Sequence, residues 1–306
     1  MLIFVNYLKE YFRQIQYKSL LLTTLFVAIL IALNFSIGIE KRIYALHFPF
    51  SLISFILFYG IVFGAGFWFQ SIDPRAPTFN NKKMFIIYYS MAVIGFSLKQ
   101  VHWQIPFANV LKFPWNIYWT RVLQLPLKLL MTLMILFFAR KIDDDNDSFF
   151  GLTTKNFKPK PYLIILLFLI PLVALAATQP DFLHAYPKVK YINFIDGQVQ
   201  TPWLWKMIYE ISYSLDFVSI ELFFRGFLVV GFIRFAGINA ILPMAAFYCT
   251  IHFGKPLGEC ISSYFGGLAL GVIAYRTRSI FGGLIVHLGL AWMMEFFGYA
   301  SRIVMH

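Results

Sequence analysis

Apolar residues in this chain run in long blocks, with short polar breaks between them and little strict alternation. The blocks lie at about 19–39, 50–71, 84–99, 116–139, 161–178, 204–233, 239–253, 258–275 and 280–298. A helix needs about 20 apolar residues to cross the hydrocarbon core of a bilayer. The pattern therefore predicts an all-α, polytopic transmembrane helical bundle of eight or nine spans. Segment 239–253 is short for a full crossing and is expected to tilt or to be partly buried among its neighbours. Residues 1–18 interleave aromatic and aliphatic residues with Lys9, Glu10, Arg13 and Lys18, the pattern of an amphipathic helix lying at the membrane interface.

Two polar stretches divide the blocks. Residues 140–161 form a hydrophilic loop, so the expected organisation is an interfacial helix at 1–18, N-terminal transmembrane helices at 19–139, this loop, and a transmembrane core at 162–306. Asp143, Asp145 and Asp147 have the alternate spacing of a calcium loop, but Ser148 stands where glycine is needed and Thr154 where glutamate is needed. They read as a solvated charge run. The second stretch, 179–203, carries Tyr, Trp and Pro and is expected at the interface. No internal repeat is visible.

Composition agrees with the pattern. Of 306 residues, 59% are hydrophobic, 20% aromatic and only 13% charged, whereas soluble domains carry about 25% charge. The net charge of +12 could suggest nucleic acid. However, Lys and Arg punctuate the ends of the apolar blocks and form no stripe, which fits cytoplasmic loops and anionic headgroups. Nucleic acid is not an expected partner; the lipid bilayer is. With an inward N-terminus, the loops facing the cytoplasm carry the larger share of Lys and Arg, and the expected location is a bacterial-type cytoplasmic membrane. The first residues lack a short apolar core with a small-residue cleavage site, so no removable signal peptide is expected. Cys249 and Cys260 fall in apolar stretches and read as small buried side chains.

The chemistry lies in the last hundred residues. Glu210, Asp216, Glu221, Glu259 and Glu295 sit in or beside spans, as do His252 and His287. An ionised carboxylate in hydrocarbon costs several kcal/mol or more, so such groups face a polar cavity and pair there. On a 3.6-residue period Glu210, Ser214, Phe217 and Glu221 share a face, with Arg225 one turn on; Glu221 and Arg225 have the i, i+4 spacing of an ion pair. Asp216 and Ile220 share another face. His252 ends a short apolar helix, with Lys255 and Glu259 within two turns. The pairs Gly266–Gly267 and Gly282–Gly283 predict close helix contacts.

The run ELFFRGF, then YCTIHF, then SSYFGGLALGVIAYRTRSIFGGLIVHLGLAW resembles the CAAX prenyl protease and bacteriocin-processing (CPBP) family of polytopic intramembrane endopeptidases, over about residues 205–298. The family pattern is Glu-Glu-x-x-x-Arg, Phe-x-x-x-His and His-x-x-x-Asn. Glu221 and Arg225 match the second acid and the arginine, His252 the first histidine and His287 the second. Ile220 stands at the first acid, Tyr248 at the phenylalanine and Ala291 at the asparagine. The resemblance implies an endopeptidase acting on a membrane peptide or lipidated protein substrate through carboxylate- and histidine-activated water. Glu221, His252 and His287 are the catalytic candidates, with Asp216, Arg225, Glu259 and Glu295 in support. No cofactor is expected. Zinc at His252 and His287 is an alternative, although a His-Glu-x-x-His helix is absent. Ile220 and Ala291 leave open a non-catalytic member that binds a peptide or partner in an immunity or regulatory role. A transporter with a buried proton path would show repeated halves, which this chain lacks.

Overall fold

The computed structural model describes residues 2–72, 81–101, 103, 105–142, 148–155 and 157–305. The acidic run Asp143, Asp145 and Asp147 lies outside them. The helices are α1 (Leu2–Gln14), α2 (Tyr17–Ile37), α3 (Ile39–Tyr44), α4 (Phe50–Ser71), α5 (Lys82–Gln100), α6 (Pro106–Val110) and α7 (Trp115–Ile142). After them come α8 (Lys160–Ala176), α9 (Pro180–Ala185) and α10 (Pro202–Glu221), a π-helical segment Leu222–Gly231, then α11 (Ile233–Ala236), α12 (Ile241–Thr250), α13 (Leu257–Thr277) and α14 (Phe281–Met305). No strand occurs among the described residues.

Among the described residues six helical stretches are long and apolar enough to cross a membrane: Tyr17–Ile37, Phe50–Ser71, Trp115–Ile142, Pro202–Thr250, Leu257–Thr277 and Phe281–Arg302. Lys160–Ala176 is a shorter apolar helix. The protein is a multi-pass integral membrane protein. The expected spans at 204–233 and 239–253 both fall in the 202–250 run, and the block at 84–99 lies in α5, which is helical but not among the six. The sidedness of burial fits lipid. On α2 the polar Ser19, Thr23 and Asn34 are buried, whereas Leu21, Leu25, Ile29 and Leu33 are exposed. Such inversion is stable only where the surroundings are as apolar as leucine.

The chain divides into two units, each assembled from separate segments. The first comprises residues 1–101, 134–157 and 221–283. At its centre is α12, buried along its whole length from Ile241 to Thr250, where the short block was expected to tilt or to be partly buried. It packs on α13, α4, α2 and the π-helical segment. Aromatic rings fill the gaps: Phe96 meets Phe223 at 4.7 Å, Tyr59 meets Phe247 at 4.8 Å, and Phe224 meets Phe247 edge-on at 5.4 Å. Edge-to-face rings fix orientation as well as filling space, so they set the position of the π-helical segment. The α1 helix buries Phe4 and Tyr11 and packs on α13, where Glu10 pairs with Arg276 at 2.9 Å. Within the 140–161 stretch, Phe149–Gly151 turns inward. Phe150 is buried with its ring edge-on to Phe227 at 5.6 Å, because its apolar side chain gains nothing from solvent.

The second unit comprises residues 102–133, 158–220 and 284–306. Hydrogen bonds tie α7 to α10: the Tyr118 hydroxyl donates to the Trp205 carbonyl at 2.9 Å, and Thr132 and Ser219 share one at 2.8 Å. The polar stretch at 179–203 folds into α9 and a 3-10 helix, Lys188–Ile195. Ile192 and Ile195 of that helix pack against Tyr118, Val122 and Tyr209. Lipid-type exposure recurs on α8, at Leu163, Leu167, Leu172 and Leu175.

Candidate active site

The first unit gathers four of the candidates: Glu221, Arg225, His252 and Glu259. Glu221 closes α10, and the backbone then widens to π-helical geometry through Leu222–Gly231. Such segments have i→i+5 hydrogen bonds, are rare and recur at functional sites. Across this change of pitch the Arg225 Nη1 lies 3.0 Å from the Glu221 Oε1, and both side chains are wholly buried. The arginine is also covered on one face. Its guanidinium carbon lies 4.2 Å from the centre of the Tyr248 ring, a close cation–π contact.

Tyr248 links this pair to the histidine. Its ring meets that of His252 at 4.7 Å, and its carbonyl oxygen lies 3.1 Å from His252 Nδ1. A carbonyl can only accept, so Nδ1 carries the proton, and the neutral form of the ring would keep its lone pair on Nε2. That tautomer suits a general base. His252 is 9% exposed and lies in the turn between α12 and α13. Glu259, at the start of α13, pairs with Lys255 at 3.5 Å.

Two glycines make room for these groups. A Cβ on Gly283 would overlap the Glu221 carboxylate oxygen Oε2, and one on Gly267 would lie 2.8 Å from the Tyr248 ring. At Gly266 a Cβ would meet nothing within 4 Å. Of the pair Gly266–Gly267, then, only Gly267 admits a close neighbour.

The second unit holds Glu210, Asp216, His287 and Glu295. The His287 ring stands edge-on to Phe217 at 4.7 Å and is 9% exposed. Asp216 is half-buried on α10. Glu295 accepts hydrogen bonds from the backbone of Lys188 at 2.7 Å and of Val189 at 3.2 Å, so its oxygens hold the start of the 3-10 helix. Glu210 lies within hydrogen-bonding reach of Glu295. Ala291, at the asparagine position of the motif, is fully buried. Among the described residues no three of His, Cys, Asp or Glu converge as a metal-binding set. Both cysteines are buried free thiols.

Residues 203–293 match a family model described as Rce1-like, type II CAAX prenyl endopeptidase. Over this stretch, about a third of its length, the chain is similar to that family. No curated protein and no solved structure matches it. The matched stretch runs from the start of α10 to midway along α14 and includes Glu221, Arg225, His252, Glu259 and His287; Glu295 falls just beyond it.

Some of this candidate site was not legible in the sequence. The π-helical turn has no compositional signature of its own. Tyr248 stands at a position whose family residue is phenylalanine, yet its ring supports Arg225 and its carbonyl sets the tautomer of His252. The one available signal was its i, i+4 spacing to His252, which places a carbonyl beside the ring.

Proposed function

We propose that this protein is an intramembrane endopeptidase that hydrolyses peptide bonds of membrane-associated or lipidated peptides, with Glu221, His252 and His287 as its working groups. The observation that carries the reading is the chain of contacts from Glu221 through Arg225 and Tyr248 to His252. It provides an imidazole with a fixed tautomer beside a compensated ion pair, in a low-dielectric setting where such contacts are strong. In this reading His252 Nε2 takes a proton from water as the oxygen attacks the scissile carbonyl, and returns it to the departing amine. Arg225 holds Glu221 in place. His287 is assigned by its place in the family motif, as a donor to the oxyanion.

A binding-only role is the second reading, favoured by Ile220 and Ala291, which put apolar groups at two polar motif positions. The test is a cleavage assay on purified protein with a fluorogenic farnesylated peptide, since the matched family is described by prenylated substrates. His252→Ala and His287→Ala should each abolish turnover. Equal cleavage by wild type and the double histidine variant would overturn the peptidase reading. Comparing Glu221→Gln with Asp216→Asn would show which carboxylate assists the base. A binding-only member would not cleave, and its histidine variants would still capture the uncleaved peptide.

A further inference from the structure

His252 lies in a turn, and that turn is held from outside the family-matched stretch. The polypeptide leaves α12 at Thr250 and enters α13 at Leu257. Local hydrogen bonds shape it: His252 N donates to Cys249 O at 3.0 Å, and Lys255 N donates to His252 O at 3.0 Å. Against it sits the corner between α2 and α3. Asn34, buried at the end of α2, donates from Nδ2 to the Phe253 carbonyl at 3.0 Å. Its Oδ1 accepts from the backbone N–H of Glu40 at 3.0 Å. The Glu40 carboxyl then turns back onto the same stretch of chain. A Cβ on Gly254 would lie 2.5 Å from Glu40 Oε2, so the acid occupies the space that a side chain two residues past His252 would need.

We propose that Glu40 is a positioning residue for His252: with Asn34 it clamps the 252–255 turn, and the clamp closes when Glu40 carries its proton and loosens when it ionises. This rests on the peptidase reading for its catalytic consequence, but the clamp itself is a property of the fold. The sign follows from the surroundings. Burial, the larger influence, outweighs the neighbouring Lys255 charge, and raises the Glu40 pKa from 4.5 to about 7. A carboxylate that burial disfavours regains hydration by opening the contact. The groups that face it are Lys255 in the turn, itself paired with Glu259, Tyr59 from α4 and Cys260 from α13. Lys255 is the cation among these. It is shared with Glu259, which limits how far it can favour an ionised Glu40.

The experiment has two arms on the purified full-length protein in detergent. In the first, hydrogen exchange of the peptide covering 251–256 is measured by mass spectrometry at pH 6 and pH 8, corrected for intrinsic rates. Wild type should exchange severalfold faster at pH 8. Glu40→Gln, a permanent mimic of the neutral acid, should show the slow rate at both. Glu40→Ala and Asn34→Ala should show the fast rate at both, with α4 peptides unchanged. Wild type without pH dependence in this turn, or Glu40→Ala indistinguishable from wild type, would overturn the clamp. In the second arm, cleavage of the farnesylated peptide is followed against pH. Wild-type kcat should fall above about pH 7, that alkaline limb should vanish in Glu40→Gln, and Glu40→Ala should lose about tenfold in kcat at unchanged KM. A loosened turn with unaltered kcat would overturn the positioning role. If wild type cleaves nothing, the peptidase reading fails, whereas the exchange arm still decides whether Glu40 holds the turn.

Discussion

Replacing Gly283 by alanine probes the heart of the site with one methyl group. The new Cβ would overlap Glu221 Oε2 and lie 3.1 Å from the carboxyl carbon, so the carboxylate must move by about an ångström or rotate away. Its partner Arg225 is 3.0 Å distant and wholly buried, with no solvent to screen the loss. Stretching the pair to about 4 Å costs about 1.4 kcal/mol at an effective dielectric of about 20. Breaking it leaves a buried charge uncompensated, at about 3–5 kcal/mol. The expected fall in apparent Tm is roughly 3–20 °C, using about 2–4 °C per kcal/mol for a chain of this order of size. Cleavage should suffer more, because a displacement of about 1 Å at a catalytic group costs about a hundredfold in rate. Thermal unfolding in detergent and the farnesylated-peptide assay read the two effects. Gly266→Ala is the control, since a Cβ there meets nothing within 4 Å. If Gly283→Ala matched that control in both assays, the placement of Glu221 against α14 would be refuted.

Glu221→Gln alone should lower stability by about 3–5 kcal/mol through the stranded guanidinium, whereas Glu221→Met with Arg225→Leu should recover most of the Tm and none of the turnover. Stability should also titrate at Glu40, an acid whose pKa in the folded protein is raised from 4.5 to about 7. The stabilisation is fully present below about pH 4.5, is lost as pH rises to about 7, and is constant above that. The full shift corresponds to about 3 kcal/mol, and partial exposure to solvent reduces it to about 1–2 kcal/mol. Glu40→Gln should flatten this part of the Tm–pH curve, and an identical curve in the variant would show that another group is responsible. Finally, a chelator should leave cleavage unchanged; loss of activity with recovery on adding zinc would instead favour metal held by His252 and His287.

Much of the architecture was readable because lipid imposes a coarse rule. Apolar blocks of a fixed length must be helices, so all nine predicted blocks fall in helical segments. The shortness of 239–253 left tilt or partial burial open, and α12 is buried along its length. Sequence period failed where helix geometry changed. The face predicted through Glu221 and Arg225 assumed 3.6 residues per turn, and the pair survives in a wider π-helical coil because i, i+4 neighbours still meet there. The contacts around His252 were hidden for a different reason: the Tyr248 carbonyl meets the His252 ring and Asn34 donates to the Phe253 carbonyl, and backbone contacts leave no signature in residue type. Glu40 comes from a part of the chain far from the motif, and only the folded α2–α3 corner brings it to the His252 turn.

The central claim is that His252, oriented by Tyr248 and set beside the Glu221–Arg225 pair, activates water for peptide hydrolysis. Its most direct test is turnover of a fluorogenic farnesylated peptide by purified wild type and His252→Ala at pH 7, with both proteins shown to be folded by their Tm. The account expects measurable cleavage by wild type and at least a hundredfold loss in the variant, consistent with removal of a general base. Undiminished cleavage by a folded His252→Ala protein would contradict it.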